Sequence, residues 1–168
     1  MIELNNRHLI SDNQLIENLI NQFTIVSIDN DKWTKTFVDK TTNENWISYY
    51  VDTAQQGGGH NILGRFPLPS TDKLIDIAIH SENEDEVFAA CRTLTDNEEL
   101  RKQDFRMALI ENIETILDTD RQKKIIELTG LASPLNRQNI LGKTWEQIQN
   151  DANYYKQIAE RANKLKRQ

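Results

Sequence analysis

The chain has 168 residues, 38% apolar and 27% charged, which suits one polar globular domain with a true core. Its formal charge of −6 argues against general nucleic-acid binding, and its single cysteine excludes an intrachain disulfide or a cysteine-based zinc site. The opening MIELNNRHLISDN lacks the apolar stretch of a signal peptide, and no apolar run nears the roughly 18 residues of a membrane span, so the expected location is cytoplasmic.

In chain order, residues 11–23 read as a helix. Ser11 stands at the N-cap with Gln14 at capping-box distance, and Leu15, Ile16, Leu19, Ile20 and Phe23 share one face. Residues 24–66 form a β-rich part. Segments 24–28, 33–38 and 46–51 are dense in β-branched and aromatic residues, and the polar run 39–45 is a turn, which predicts a small antiparallel meander. Alternation places Trp46, Ser48 and Tyr50 on one face and Ile47, Tyr49 and Val51 on the other. A short strand at Ile62 and Leu63 follows the glycine run, and Pro67 and Pro69 then hold the chain extended.

Residues 70–129 read as a helical stack. Ser70 or Thr71 caps a helix carrying Leu74, Ile75, Ala78 and Ile79. Ser81 with Glu84 forms a capping box for a helix with Val87, Ala90, Cys91 and Leu94, where Cys91 is a small core residue. Asp96 with Glu99 opens a further helix bearing Leu100, Phe105, Leu109, Ile113 and Ile116. A shorter helix over 121–129 ends at Gly130. Thr144 with Gln147 opens the C-terminal helix, 144–166, whose Trp145, Ile148, Ala152, Tyr155, Ala159 and Ala162 make an a/d-like seam.

The stretch with no packing explanation is WISYYVDTAQQGGGHNILGRFPLP, residues 46–69. A run such as Gly57, Gly58 and Gly59 costs backbone entropy, so it serves positive φ, close backbone approach or looseness. It is not a P-loop or dinucleotide fingerprint, because no Lys-Ser/Thr and no helix follow Gly64. The histidines, His8, His60 and His80, have no histidine or cysteine at ligand spacing. Asp72, Asp76 and His80 share a helix face, but an exposed polar face explains them, so neither metal nor cofactor is expected. The carboxylates Glu82, Glu84, Asp85 and Glu86 crowd a helix N-terminus, where negative charge is stabilised without any catalytic role.

A binding surface is the remaining reading. Trp33, Trp46, Tyr49, Tyr50, His60, Arg65 and Phe66 include the types enriched in interface hot spots, beside a loop of the kind that carries function. Charge is uneven too. Residues 1–100 hold 7 Lys and Arg against 17 Asp and Glu, and residues 101–168 hold 13 against 9. An acidic front steers a basic partner or keeps the surface solvated.

Trp46, the glycine run, the Pro67 and Pro69 exit and LIDIAIHSENEDEVFAACRTL resemble the small helical, HEAT-like immunity proteins of bacterial polymorphic toxin systems, over roughly residues 33–117. The resemblance implies a cytosolic protein that binds and blocks one cognate toxin without chemistry of its own.

The expected fold is therefore a single α+β domain, mainly α, with a small N-terminal antiparallel β-meander on a stack of amphipathic helices. The expected function is non-enzymatic capture of one protein partner, a toxin, with no nucleic acid or membrane involved. Trp46, Tyr49, Gly57, Gly58, Gly59, His60 and Arg65 would meet it, with Glu82, Glu84, Asp85 and Glu86 as an acidic rim. A rigid functional loop predicts that Gly58→Val abolishes binding with little loss of thermal stability. The rival is an enzyme or small-ligand protein with His60 and Arg65 in one pocket under the glycine loop. A third reading is a HEAT-like scaffold subunit.

Overall fold

The computed structural model describes residue 4, residues 7–53 and residues 58–168. The chain is an α+β fold. Its described elements are β1 (Leu9–Ile10), α1 (Asn13–Ile20), β2 (Thr24–Asp29), β3 (Thr34–Asp39), β4 (Glu44–Val51), β5 (His60–Arg65), α2 (Thr71–His80), α3 (Glu84–Arg101), α4 (Arg106–Ile113), α5 (Thr119–Thr129) and α6 (Trp145–Lys166). The strands form one antiparallel sheet in the order β1-β5-β4-β3-β2.

The sheet separates two apolar clusters, and period-2 alternation decides which residue joins which. Leu9, Val51 and Ile62 point towards α2, α3 and the later helices and join a core with Leu74, Ala90, Leu109, Ile126 and Ile158. Ile10, Phe37, Trp46 and Leu63 point the other way and pack under Ile16 and Leu19 of α1. The expected meander is present, extended to five strands by β5 and the two-residue β1.

Several helix boundaries differ from expectation. The N-cap of α1 is Asp12, which accepts from the Leu15 N–H, while Ser11 donates its hydroxyl to the Asp85 carbonyl. Ser81 closes α2 instead of opening α3, and its hydroxyl donates to Glu86 at 2.6 Å. Asp96 starts no helix. Its carboxylate accepts the Asp52 N–H at 3.1 Å, so α3 runs through it for 18 residues and stops at Lys102, whose φ is +58°. A separate α4 then carries Leu109 and Ile113. Gly130 ends α5 at φ +67°, as expected, and Thr144 with Gln147 forms a full capping box on α6.

A buried ion pair joins the helices. Arg106 donates from Nε to Glu98 at 2.6 Å and from Nη2 at 3.0 Å, with both side chains fully buried. Its guanidinium lies 4.9 Å from the Tyr155 ring centroid and donates to the Ser133 carbonyl, which ties α3, α4, α6 and the segment after α5 together.

Candidate binding face

Strand register arranges the α1 side of the sheet in rows, because directly paired residues share a face. One row runs Ile25, Phe37, Trp46, Arg65, and the next runs Ile28, Lys35, Ser48, Leu63, Ile10. At eight residues, α1 is about 12 Å long. It buries the β1, β5 and β4 ends of these rows and leaves the β2 end open. Ile25 is 55% exposed and Ile28 52%, and Tyr50, further along the same face of β4, is 41% exposed. Trp33, in the β2–β3 turn, is 75% exposed and holds φ +55°, a strained value for a bulky residue.

Between α1 and this open face lies a cleft of about 450 Å³. Ile16, Glu17 and Ile20 form its helical wall, Phe37 and Ser48 its floor, and Trp33, Lys35 and Tyr50 its outer rim, with Gly59, His60 and Asn61 closing one end. Ser48 donates to Asn61 at 2.7 Å across the strands, which leaves the aromatic groups and Lys35 facing outward. The arrangement can hold an apolar or aromatic side chain between polar rims.

The expected contact residues divide. Trp46 is wholly buried, stacked on Phe23 at 6.0 Å and roofed by the Arg65 guanidinium at 5.3 Å, so it is a core residue and cannot meet a partner in the folded chain. Its indole N–H has no acceptor among the described residues. Tyr49 turns to the opposite face, where its hydroxyl bonds Thr93 at 2.9 Å and burial pushes its phenol up to about 12. Arg65 pairs with Glu44 at 3.0 Å. His60 is exposed, but its ring packs edge-on to Phe88 and lies 3.3 Å from Asp52. Gly58 and Gly59 stand at φ +85° and +81°, and Gly57 lies outside the described residues.

Two members of the acidic rim, Asp85 and Glu86, form a bracket inside the fold. Glu86 is buried and accepts from the His8 and Leu9 N–H groups at 2.7 and 3.1 Å. Asp85 binds Arg7 and the Ser11 N–H, and Glu84 pairs with Arg121 and Lys124. Glu82 is exposed and has no ion pair among the described residues, and Glu84 is exposed as well. Sequence spacing put all four at a helix N-terminus, and it held no trace of the β1 segment that takes up Asp85 and Glu86.

His60 and Arg65 sit at opposite ends of β5, about 16 Å apart along the strand. The cleft at the His60 end takes in Gly59, His60 and Asn61 of this strand region and does not include Arg65. Instead Asp52 gathers the polar groups at the His60 end. With φ +57°, it accepts from Arg92 Nε at 2.5 Å, and Arg92 also donates to the Leu128 carbonyl at 3.0 Å. A cleft of about 230 Å³ here includes Asp96, Glu99 and Arg137. Burial holds the Asp96 carboxyl above its ordinary range, assisted by the charges of Asp52 and Glu99. No group of three or more His, Cys, Asp or Glu able to hold a metal occurs among the described residues. The Cys91 thiol, pushed up to about 12 by burial, is an apolar core group.

Comparison with known protein families, curated proteins and solved structures gives no match.

Sequence reasoning missed Ile25, Ile28 and Lys35 as surface residues. Lys35 shares parity with Phe37, but Ile25 and Ile28 are three residues apart and reach the same face only because the register shifts between Ile25 and Ser27, an irregularity that alternation does not foretell. None of the described helices is long and apolar enough to cross a membrane.

Proposed function

We propose that this chain is a non-enzymatic protein-binding module and that it meets its partner through the open sheet face around Trp33 and Tyr50. The observation that carries this reading is the gathering of Ile25, Ile28, Trp33 and Tyr50 on one side of the sheet, beyond the reach of α1. Solvent-facing aromatic and aliphatic groups beside a cleft are the raw material of interface hot spots, and contiguous apolar exposure marks interaction sites. The partner class favoured by the immunity-protein resemblance is a bacterial toxin, held stoichiometrically so that its action is blocked. The acidic balance of residues 1–100 suits a basic partner by raising its association rate. In this reading α2, α3 and α5 form a HEAT-like stack that supports the sheet from its other side.

The test is capture from the lysate and secretome of the source cell, with wild-type and Trp33→Ala proteins as parallel baits and mass spectrometry as readout. The expected result is one stoichiometric partner, a large secreted protein, retained by the wild type. Trp33→Ala should weaken it by tenfold or more, about 1.4 kcal/mol, at nearly unchanged folding stability. Equal retention by both baits would move the interface elsewhere. No partner, with a small molecule shifting the melting temperature, would sink the protein-binding reading.

A further inference from the structure

The helix α6 has one apolar seam in two environments. It spans 22 residues, about 33 Å. From Tyr155 onward the seam is core: Tyr155, Ile158, Ala159, Ala162 and Leu165 are buried. Before Tyr155 it is open: Trp145 is 73% exposed and Ile148 47%, Ala152 is exposed, and Leu141 just ahead of the helix is also bare.

Charge follows the same division. Between Trp145 and Tyr154 the ionisable side chains are Glu146 and Asp151, and Asp151 is already bound to Lys143 and Asn136. The following stretch carries Lys156, Glu160, Arg161, Lys164, Lys166 and Arg167. A helix surface that is both apolar and charge-depleted has the composition of an interface core, and a seam stepping by three and four is shaped for another helix.

The order of side-chain sizes identifies that helix. Read forward the open seam is Trp145, Ile148, Ala152, and read backward it is Ala152, Ile148, Trp145. In an antiparallel pair centred between Ile148 and Gln149, each Trp145 falls opposite Ala152 of the other copy, the largest side chain against the smallest, and the isoleucines meet near the axis. We infer that the exposed N-terminal half of α6 pairs with the same segment of a second copy in an antiparallel, two-fold homodimer. The inference does not depend on the partner-binding reading and concerns a different surface.

The contact covers about two turns of helix with Leu141 beside it, below the standard ~1,600 Å² of a stable complex, so the dimer dissociates in the micromolar range. Sedimentation equilibrium on the purified full chain, from about 1 to about 500 µM, should show a reversible monomer–dimer equilibrium. Ala152→Trp opposes two indoles and should weaken it at least tenfold, and Trp145→Ala should weaken it comparably. The double variant Trp145→Ala/Ala152→Trp restores one indole against one methyl in each pair and should recover affinity to within about threefold of wild type. These positions are exposed in the monomer, so circular dichroism should show each variant folded. Oxidative cross-linking of Ile148→Cys should give a covalent dimer, whereas Glu160→Cys should not. A monomer over the whole range, a dimer indifferent to Ala152→Trp, or a double variant no better than either single would each overturn the inference.

Discussion

Glu86 holds three hydrogen bonds at once, from two backbone N–H groups of the β1 segment and from the Ser81 hydroxyl, and it does so while buried. Removing a buried charged acceptor strands its donors, at a cost of several kcal/mol. Glu86→Ala should therefore lower unfolding stability by about 2–4 kcal/mol, whereas Glu82→Ala, four residues earlier and exposed, should stay within about 0.5 kcal/mol of wild type. Urea denaturation measures both, and equal small effects would mean that Glu86 does not bind β1. The two residues are chemically identical and nearly adjacent in the chain. What separates them is a strand 77 residues away, which no spacing rule encodes. Trp33 and Trp46 differ in the same way: both fall in aromatic stretches of the sequence, and the fold sets Trp33 in the β2–β3 turn and Trp46 between Phe23 and Arg65.

At the scale of elements, the β4–β5 connection shows how unequal neighbouring glycines can be. A Cβ on Gly58 would meet no atom within 4 Å, so alanine there costs only the strain of positive φ, about 1–2 kcal/mol. A Cβ on Gly59 would stand 2.3 Å from the Val51 carbonyl oxygen, and the backbone would have to move. Thermal unfolding should show Gly59→Ala losing clearly more stability than Gly58→Ala, by about 2 kcal/mol or more. A reversed order would mean that the strand ends are not held this close. The earlier expectation for Gly58→Val, lost binding at little cost in stability, now includes a strain term from φ alone. Elements defined by short-range signals were readable: the meander, the Gly130 stop of α5 and the Thr144 capping box all depend on residues within a few positions of one another. The helix start expected at Asp96 was not readable, because Asp and Glu three apart fit a capping box equally well within a helix. The choice fell to the Asp52 N–H, which takes the Asp96 carboxylate.

For the molecule as a whole, acid response has contributions of opposite sign. Arg161 bonds Glu114 and holds its carboxyl below the ordinary value of 4.5, so this contact between α4 and α6 contributes stability above that pH and loses it as pH falls through the lowered folded value. Asp96 is the reverse. Burial raises its carboxyl above 3.8, so ionisation costs folding stability at neutral pH and costs nothing once the pH is below 3.8 and the group is protonated in both states. Asp96→Asn keeps a carbonyl to accept the Asp52 N–H. It should raise stability at pH 7 by under about 1 kcal/mol, with the gain shrinking to zero as pH falls below 3.8. Denaturant midpoints across pH measure this, and a gain that persists or grows in acid would refute the assignment.

The sequence by itself determined the class of the fold, the sheet-forming region, most helix spans and the two-faced alternation of β4, because periodicity and caps act over at most two helical turns. It also held the α6 seam complete, in Trp145 through Ala162. Tertiary structure alone decided which half of that seam is covered, which end of each sheet row lies under α1, and which acidic side chains are consumed inside the fold. Those outcomes depend on contacts between segments tens of residues apart, and exposure, the property a binding face needs, is created only when such segments meet.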